Sequence, residues 1–338
     1  MRRMSVLWLV MILVVLLLVV TVVEIAVGPL GIAITKILPD AIAYFRGTTS
    51  VDAVVMGAVR LPRVVVAAFV GVGLASAGVA LQAVFRNPMA DPGVIGVSSG
   101  GSLGAVIVIA MGLSGLSIWV VPLAAFTTGL ITVFVIYALA TYRGYTSIYA
   151  LLLSGVAIGS LAGAVVDLLL SLEPLQTMQQ ALFWLMGGLD GSTWSSAGIV
   201  ASFSTIGLLF FMMEAPTLDL LSLGDEQAIS VGVHVEAHKR LVLVFSALVV
   251  GSCISVSGAI GFVGLIVPHV MRLLIGPSHR FLLLTSALGG AILLIFSDIL
   301  ARTVLMPSEI NIGIVTSVLG VPFFLMLLRH QQKTSRLR

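Results

Sequence analysis

The sequence predicts an all-α integral membrane protein with about ten transmembrane helices. Hydrophobic residues make up 59% of the 338 residues and charged residues only 9%, and the mean hydropathy is +1.20. The apolar residues fall in runs of about 20, the length that a helix needs to cross a bilayer. We therefore expect one transmembrane domain over residues 1–338. The basic residues form no stripe with interleaved aromatics, so nucleic-acid binding is not expected.

The first apolar run, residues 5–27, is predicted to be a retained helix. Its apolar core is longer than the roughly 7 to 15 residues of a signal peptide, and no clean small-x-small cleavage site follows it. Nine further spans are predicted at residues 61–85, 93–113, 118–142, 147–171, 195–213, 241–257, 261–275, 281–303 and 310–328. The segment at 261–275 is the shortest of the ten.

The distribution of basic residues predicts that both termini are cytoplasmic. Ten spans place the termini on one side, and with that side in the cytoplasm 12 of the 17 basic residues are inside, as the positive-inside rule expects. The inside residues are Arg2, Arg3, Arg86, Arg143, Lys239, Arg240, Arg272, Arg280, Arg329, Lys333, Arg336 and Arg338. The outside residues are Lys36, Arg46, Arg60, Arg63 and Arg302.

Three of the outside arginines lie next to apolar spans. Arg60 and Arg63 begin the second span, and Arg302 ends the ninth. One interpretation is that they reach lipid headgroups or pair locally, with Asp298 one turn before Arg302 as the obvious partner. The other is that they form a positive surface that binds carboxylates of a soluble protein docking from outside. We expect the second.

The polar segment at residues 214–240 is predicted to be a structured cytoplasmic loop. It is too long for a minimal turn and fits one short amphipathic helix, with Ser222 as N-cap, Asp225 and Glu226 in the first turn, and Gly232 at the end. It is either a plain linker along the membrane surface or an element that receives force from a cytoplasmic partner.

Other kinds of site are weakly supported. His234, Glu236 and His238 are a poor metal site, because Glu236 points away from the face that the two histidines share. The clearest acids in the spans, Asp167 and Asp298, fall near the predicted outer ends, so the buried relay of an ion-driven carrier is missing. None of the three lysines follows a glycine, which excludes a G-x-x-x-x-G-K-[ST] nucleotide-binding loop on this chain.

Two spans carry faces of small and hydroxylated residues. In the fifth these are Ser154, Gly155, Gly159, Ser160 and Gly163, and in the tenth Gly313, Thr316 and Ser317. Such faces allow close helix packing, and they also leave room for a bulky solute. Both interpretations stay open.

Several motifs together resemble the FecCD-type permeases, the membrane subunits of importers for iron chelates, haem and vitamin B12. The resemblance rests on RLPR at 60–63, Gln82, RNPMADPG at 86–93 with GVSSG at 96–100, FWLMGGL at 183–189, LGDE at 223–226, GFVGLIVPH at 261–269, residues 298–302 and GVP at 320–322. It covers nearly the whole chain and says almost nothing about the substrate.

The resemblance implies the ten-helix permease fold of the vitamin B12 importers, in a bacterial or archaeal inner membrane. It implies a homodimer or a close heterodimer with the passage at its interface, a periplasmic or lipid-anchored binding protein, and two separate subunits that bind ATP and Mg. No cofactor and no enzymatic activity are expected on this chain.

The resemblance also implies roles for single residues. Arg60, Arg63 and Arg302 match arginines that meet acidic residues of the binding protein. The fifth and tenth helices match the lining of the passage, and Thr146 and Ser147 match a gate. The residues that match the coupling helices in the ATPase cleft are Leu223, Gly224, Asp225, Glu226, Ala228 and Gly232.

The functional prediction is therefore an ATP-driven importer permease that works by alternating access. The alternatives are an ion-coupled carrier or channel without an ATPase partner, and a structural scaffold; copurification of an ATPase would separate them. The substrate class stays open among ferric siderophores, haem and cobalamin, and we favour an iron chelate.

Overall fold

The computed structural model describes residues 5–28, 31–306 and 308–335 as a bundle of α-helices with one short β-hairpin. The hairpin pairs β1 (Thr141–Tyr142) with β2 (Tyr145–Thr146) in antiparallel register. The helices are α1 Val6–Ala26, α2 Ile37–Phe45, α3 Val51–Val54, α4 Leu61–Val84, α5 Val97–Ala110, α6 Val120–Ala140, α7 Ile148–Leu172, α8 Leu175–Leu185, α9 Trp194–Met213, α10 Ala215–Leu223, α11 Asp225–Ser230, α12 Val235–Ser257, α13 Val263–Ile275, α14 His279–Thr303 and α15 Ile312–Ser335.

The predicted fold class is confirmed, and each of the ten predicted spans overlaps one of these helices. In the described part of the chain, seven helical segments are long and apolar enough to cross a bilayer. The helix α5, the helix α13 and the apolar part of α15 are shorter. The number of ten spans is therefore approximate.

The second span begins earlier than its sequence pattern predicted. Val51–Val54 continues through a π-helical turn, Val55–Arg60, into α4, so that one helical segment of 34 residues runs to Val84. Pro62 is typical of the first turn of a helix, but here it lies inside a longer helical segment. The π-helical turn immediately before it shifts the hydrogen-bond pattern, and the helix continues through the proline.

The helix α4 is the centre of the bundle. In the helical segment that ends with it, Val51–Val84, 78% of the residues in the most apolar 18-residue stretch are buried, against 17% in α1 and in α7. Glycines bring it into backbone contact with two neighbours: a Cβ on Gly71 would overlap the carbonyl group of Gly290 in α14, and one on Gly78 would overlap Gly264 in α13. The small residues of α4 therefore allow close helix packing, and this packing places the end of α4 that carries Arg63 next to α14.

The segment at 214–240 forms two short helices, so the prediction of one helix is wrong. Ser222 is not an N-cap: it lies inside α10, where its hydroxyl donates to the carbonyl oxygen of Asp219. Gly224, with a φ of 126°, is the junction and the N-cap of α11. Its positive φ suits glycine, which makes the sharp turn between the two helices possible. The predicted end is confirmed, because α11 stops at Ser230 and Gly232 follows in the left-handed region.

Charged side chains gather at the two ends of the bundle. We call the end with Arg63 and Asp298 the outer end, and the end with α10, α11 and the β-hairpin the inner end. Arg86 and Lys239, both predicted to be inside, lie beside α11 at the inner end. The predicted inside residues Arg2, Arg3, Arg336 and Arg338 lie outside the described residues.

Candidate functional sites at the two ends of the bundle

Arg63 lies at the centre of an ionic network at the outer end. Its guanidinium donates from Nε and Nη2 to the two carboxylate oxygens of Asp298, at 2.8 and 2.9 Å. It also donates to Asp190 and to Glu309, each at 3.0 Å. The Arg63 side chain is 12% exposed and Asp298 is 1% exposed. The arginine thus ties α4 to α14 and to two loops, with a bidentate pair as its strongest contact.

Arg302 is held by α1 at the same end. It forms an ion pair with Glu24 and donates to the carbonyl oxygens of Glu24 at 2.9 Å and Val27 at 3.2 Å. The local partner that the sequence suggested is also present, since Asp298 lies 3.5 Å from the Nε of Arg302. Sequence reasoning missed Glu24, although a lone acid inside a 21-residue apolar helix is itself a signal of a buried partner.

Arg60 joins α4 to the end of α1. Its Nη1 donates to the carbonyl oxygens of Ile25 and Ala26. Arg60 and Arg302 are each only 5% exposed, so Arg63 is the most accessible of the three. The structure brings all three predicted docking residues together at one end of the bundle, and it pairs them with groups of this chain. Their docking role stays a prediction.

A cavity of about 460 Å³ lies beside this network. The carboxylates of Asp190 and Glu309 line it together with the rings of Trp119, Phe183 and Trp184. Burial raises the pKa of the Glu309 carboxyl, and the positive charge of Arg63 opposes that rise. Glu309 therefore takes up a proton at a higher pH than a free glutamate, and its contact with Arg63 weakens when it does.

The predicted coupling residues lie in α11 and in the residues that flank it at the inner end. Asp225 and Glu226 are in its first turn, as predicted. Ala228 is fully buried against the bundle. In contrast, Leu223 is 66% exposed, Ile229 61% and Val231 63%. This short polar segment therefore presents three large apolar side chains on its surface.

The predicted gate residues lie where the hairpin meets α7. Thr146 is 2% exposed, and its backbone N–H donates to a carboxylate oxygen of Glu236 at 3.0 Å. Its hydroxyl lies 3.1 Å from that of Thr141 across the hairpin. Ser147 is the N-cap of α7, where its hydroxyl accepts from the N–H of Ala150. The structure thus gives both residues a local structural role, and their gating role stays a prediction.

The predicted passage residues divide between packing and open surface. On α7, Gly155 packs against the carbonyl of Val94 and Gly159 against Ser99, whereas Gly163 has no atom within 4 Å of an added Cβ. On the same helix Ser160 is exposed and Ser154 is half-buried.

On α15, Gly313 packs against the carbonyl of Met186, and Thr316 is 2% exposed. Both Thr316 and Ser317 donate their hydroxyls to the carbonyl oxygen of Gly313. Gly313 and Ser317 also line a cavity of about 350 Å³, in which none of the described lining residues is titratable. The predicted small-residue face of α15 therefore borders an uncharged cavity.

Of the two histidines near α12, His238 is paired with a carboxylate. His238 lies 2.7 Å from a carboxylate oxygen of Glu214, and Glu236 contacts Lys239. Within the described residues, no group of three or more His, Cys, Asp or Glu side chains has the arrangement of a metal site.

The fold and these two charged ends define the class of the protein: a polytopic, all-α membrane protein with buried ionic clusters at both ends of its helix bundle. The sequence model of the FecCD transport family matches residues 13–330. The chain therefore belongs to the FecCD transport family.

Named relatives are permease subunits of import systems. The chain is 44% identical over 286 residues to the cobalamin import system permease protein BtuC of Halobacterium salinarum, covering 85% of this chain and 76% of the relative. It is 41% identical over 278 residues to the hemin transport system permease protein HmuU of Yersinia pestis, covering 81% and 83%. This chain is likewise a membrane-spanning importer permease.

A solved structure has the same fold. It is an inward-facing conformation of a transporter assigned to the metal-chelate type of ABC transporters. The TM-score is 0.83 at 30% identity, over 96% of this chain and 99% of the other.

Proposed function

We propose that this chain carries a bulky metal chelate, either an iron chelate (a ferric siderophore or haem) or cobalamin, into the cytoplasm by alternating access. Residues 1–338 act as one permease domain in the cytoplasmic or inner membrane. A second copy of the chain completes the passage, two ATP-binding subunits bind ATP and Mg, and a periplasmic or lipid-anchored binding protein delivers the chelate.

The observation that supports this proposal is the exposed apolar surface formed by α11 and the residues on either side of it. Large apolar side chains on a loop outside the bilayer have no lipid to cover them, so Leu223, Ile229 and Val231 favour a protein partner. Exposed Glu226 beside them supplies a charged rim. We assign the partner as the ATP-binding subunit, and residues 214–240 as the coupling loop that moves with it.

The passage is assigned to α7 and α15. An uncharged wall of small and apolar residues, such as Gly313, Ser317 and Val318, gives a bulky chelate no charged group to bind tightly. The exposed Ser160 and the open Gly163 are the corresponding positions on α7. Thr146, at the inner start of α7, is assigned to the gate.

Arg63 is proposed as the main contact for the binding protein. It is the most exposed of the three outer arginines, and its partners Asp190 and Glu309 are themselves 70% and 31% exposed. An acidic residue of the binding protein therefore has access to the edge of the network. Arg60 and Arg302 then support Arg63 from the bundle interior.

The test is transport in proteoliposomes that contain the chain, the ATP-binding subunit and the binding protein. We expect the ATP-binding subunit to copurify with the chain, and uptake to require ATP. Uptake that runs on an ion gradient without ATP would contradict the proposal. A parallel panel of a ferric hydroxamate, haem and cobalamin identifies the substrate class, because only the chelate that the binding protein holds should accumulate.

A further inference from the structure

Lys239 is a buried lysine at the inner end of the bundle. Its side chain is 3% exposed, although lysine is among the residues least often buried without a partner. Its ammonium lies 2.7 Å from a carboxylate oxygen of Asp225 in α11 and 3.3 Å from one of Glu236, one turn earlier in α12. It also lies 5.6 Å from the ring centre of Tyr145 in β2. A single cation thus contacts three segments.

The contacts continue from Lys239 to the predicted gate. Glu236 uses one oxygen for Lys239 and the other for the backbone N–H of Thr146, at 3.0 Å. Thr146 precedes the N-cap of α7 directly. A continuous chain of charge-assisted hydrogen bonds therefore joins α11, through Lys239 and Glu236, to the start of α7.

The cluster contains two carboxylates, Asp225 and Glu236, and two cations, of which the second, Arg86, lies at its edge. Arg86 lies 3.9 Å from Asp225, at a side chain that is 41% exposed. Because Lys239 is the buried cation between Asp225 and Glu236, its removal leaves two neighbouring carboxylates facing each other. The connection between α11 and the hairpin thus depends on this one side chain.

We infer that Lys239 is the positioning residue that transmits displacement of α11 to the β1–β2 hairpin and so to α7. The inference rests on the proposed function, because it takes α11 as the element that the ATP-binding subunit moves. The cluster is suited to transmit motion, because Lys239 at its centre is buried and because α11, α12 and the hairpin each contribute a hydrogen-bonded group. Motion of α11 relative to α12 either breaks these bonds or carries the hairpin with it.

The experiment compares Lys239→Met, Lys239→Arg and Asp225→Asn in the reconstituted transporter with its ATP-binding subunit. Arg280→Met is the matched control, since Arg280 is an exposed cation at the same end. We expect Lys239→Met and Asp225→Asn to lower the chelate transported per ATP hydrolysed by about tenfold. The double variant should fall no further, because both changes cut the same link. Lys239→Arg should recover part of the loss, and Arg280→Met should leave the ratio unchanged.

A second measurement follows the hairpin itself. A nitroxide attached at Arg143→Cys reports hairpin motion, and the native Cys253 does not react because it is fully buried. In the parent protein the spectrum should change on addition of ATP, and with Lys239→Met it should not.

An unaltered ratio of chelate transported to ATP hydrolysed in the Lys239 and Asp225 variants overturns the inference about Lys239 and leaves the proposed function intact. A parent protein without ATP-driven transport overturns the proposed function. If Lys239→Met does not assemble, Lys239→Arg and Asp225→Asn, each of which keeps a polar partner in the cluster, decide the question.

Discussion

Replacing Arg63 by methionine measures how much the outer network stabilises the fold. Arg63 supplies two of the hydrogen bonds to the fully buried Asp298, at 2.8 and 2.9 Å, and the next cation is Arg302 at 3.5 Å. Removing one partner of a buried ion pair lowers the free energy of unfolding by about 3 to 5 kcal/mol. We expect a loss of about 3 kcal/mol for Arg63→Met, at the lower end, because the Arg63 side chain is still 12% exposed to solvent. The free energy of unfolding would be measured by denaturant titration in mixed micelles.

The matched control is Lys36→Met, whose pair with Asp52 is exposed on both sides at 4.0 Å. An exposed pair contributes about 0 to 1 kcal/mol. Adding Asp298→Asn to Arg63→Met removes the stranded carboxylate and should recover most of the lost stability. An Arg63→Met variant as stable as Lys36→Met would refute the reasoning.

The same double variant separates folding from docking. If Arg63 contacts the binding protein, the variant with Arg63→Met and Asp298→Asn should fold and yet bind that protein at least about tenfold more weakly, a loss of about 1.4 kcal/mol. An unchanged affinity in a stable double variant would show that Arg63 acts only within the fold.

Two further predictions use the same titration. Gly71→Ala should lower the free energy of unfolding by about 1 to 3 kcal/mol, because the new Cβ overlaps the carbonyl group of Gly290. Gly163→Ala on α7 is the control: its Cβ meets no atom within 4 Å, so it should raise the free energy of unfolding by about 0.5 to 1 kcal/mol. Equal effects of the two substitutions would contradict the close packing of α4. Asp219→Asn should lower the free energy of unfolding by about 1 kcal/mol, because the Asp219 carboxylate accepts a hydrogen bond from the backbone N–H of His279 at 3.0 Å and contacts the His279 ring. Exposed Ser222→Ala is the control for Asp219, and an equal loss there would count against the capping role.

The membrane spans were predictable because they follow from composition over about 20 residues. A long apolar run has few alternatives to a helix, and each predicted span overlaps an α-helix of the structure. The helix α8 was missed for the opposite reason: Leu175–Leu185 is an 11-residue segment with polar residues, too short for a span. Its helix depends on packing against neighbours that the local sequence does not reveal.

The ionic partners were predictable only where they are close in sequence. Asp298 and Arg302 are four residues apart, so helix geometry alone suggested their contact. Glu24 and Arg302 are 278 residues apart, and their pairing requires α1 to lie against α14. Lys239 is a similar case, because its position predicted the inner side and its burial depends on α11 and the hairpin together.

The contrast between α4 and α7 indicates where the bundle is able to move. The helix α4 touches the backbones of α13 and α14 through Gly71 and Gly78, and such close contacts leave no room for rotation or sliding. Arg63 at its outer end and Arg86 just beyond its inner end each contact a charged cluster. In α7 only 17% of the residues in the most apolar 18-residue stretch are buried, and its Gly163 face is open. We therefore expect α4, α13 and α14 to move as one body during transport, and the hairpin with α7 to move against it.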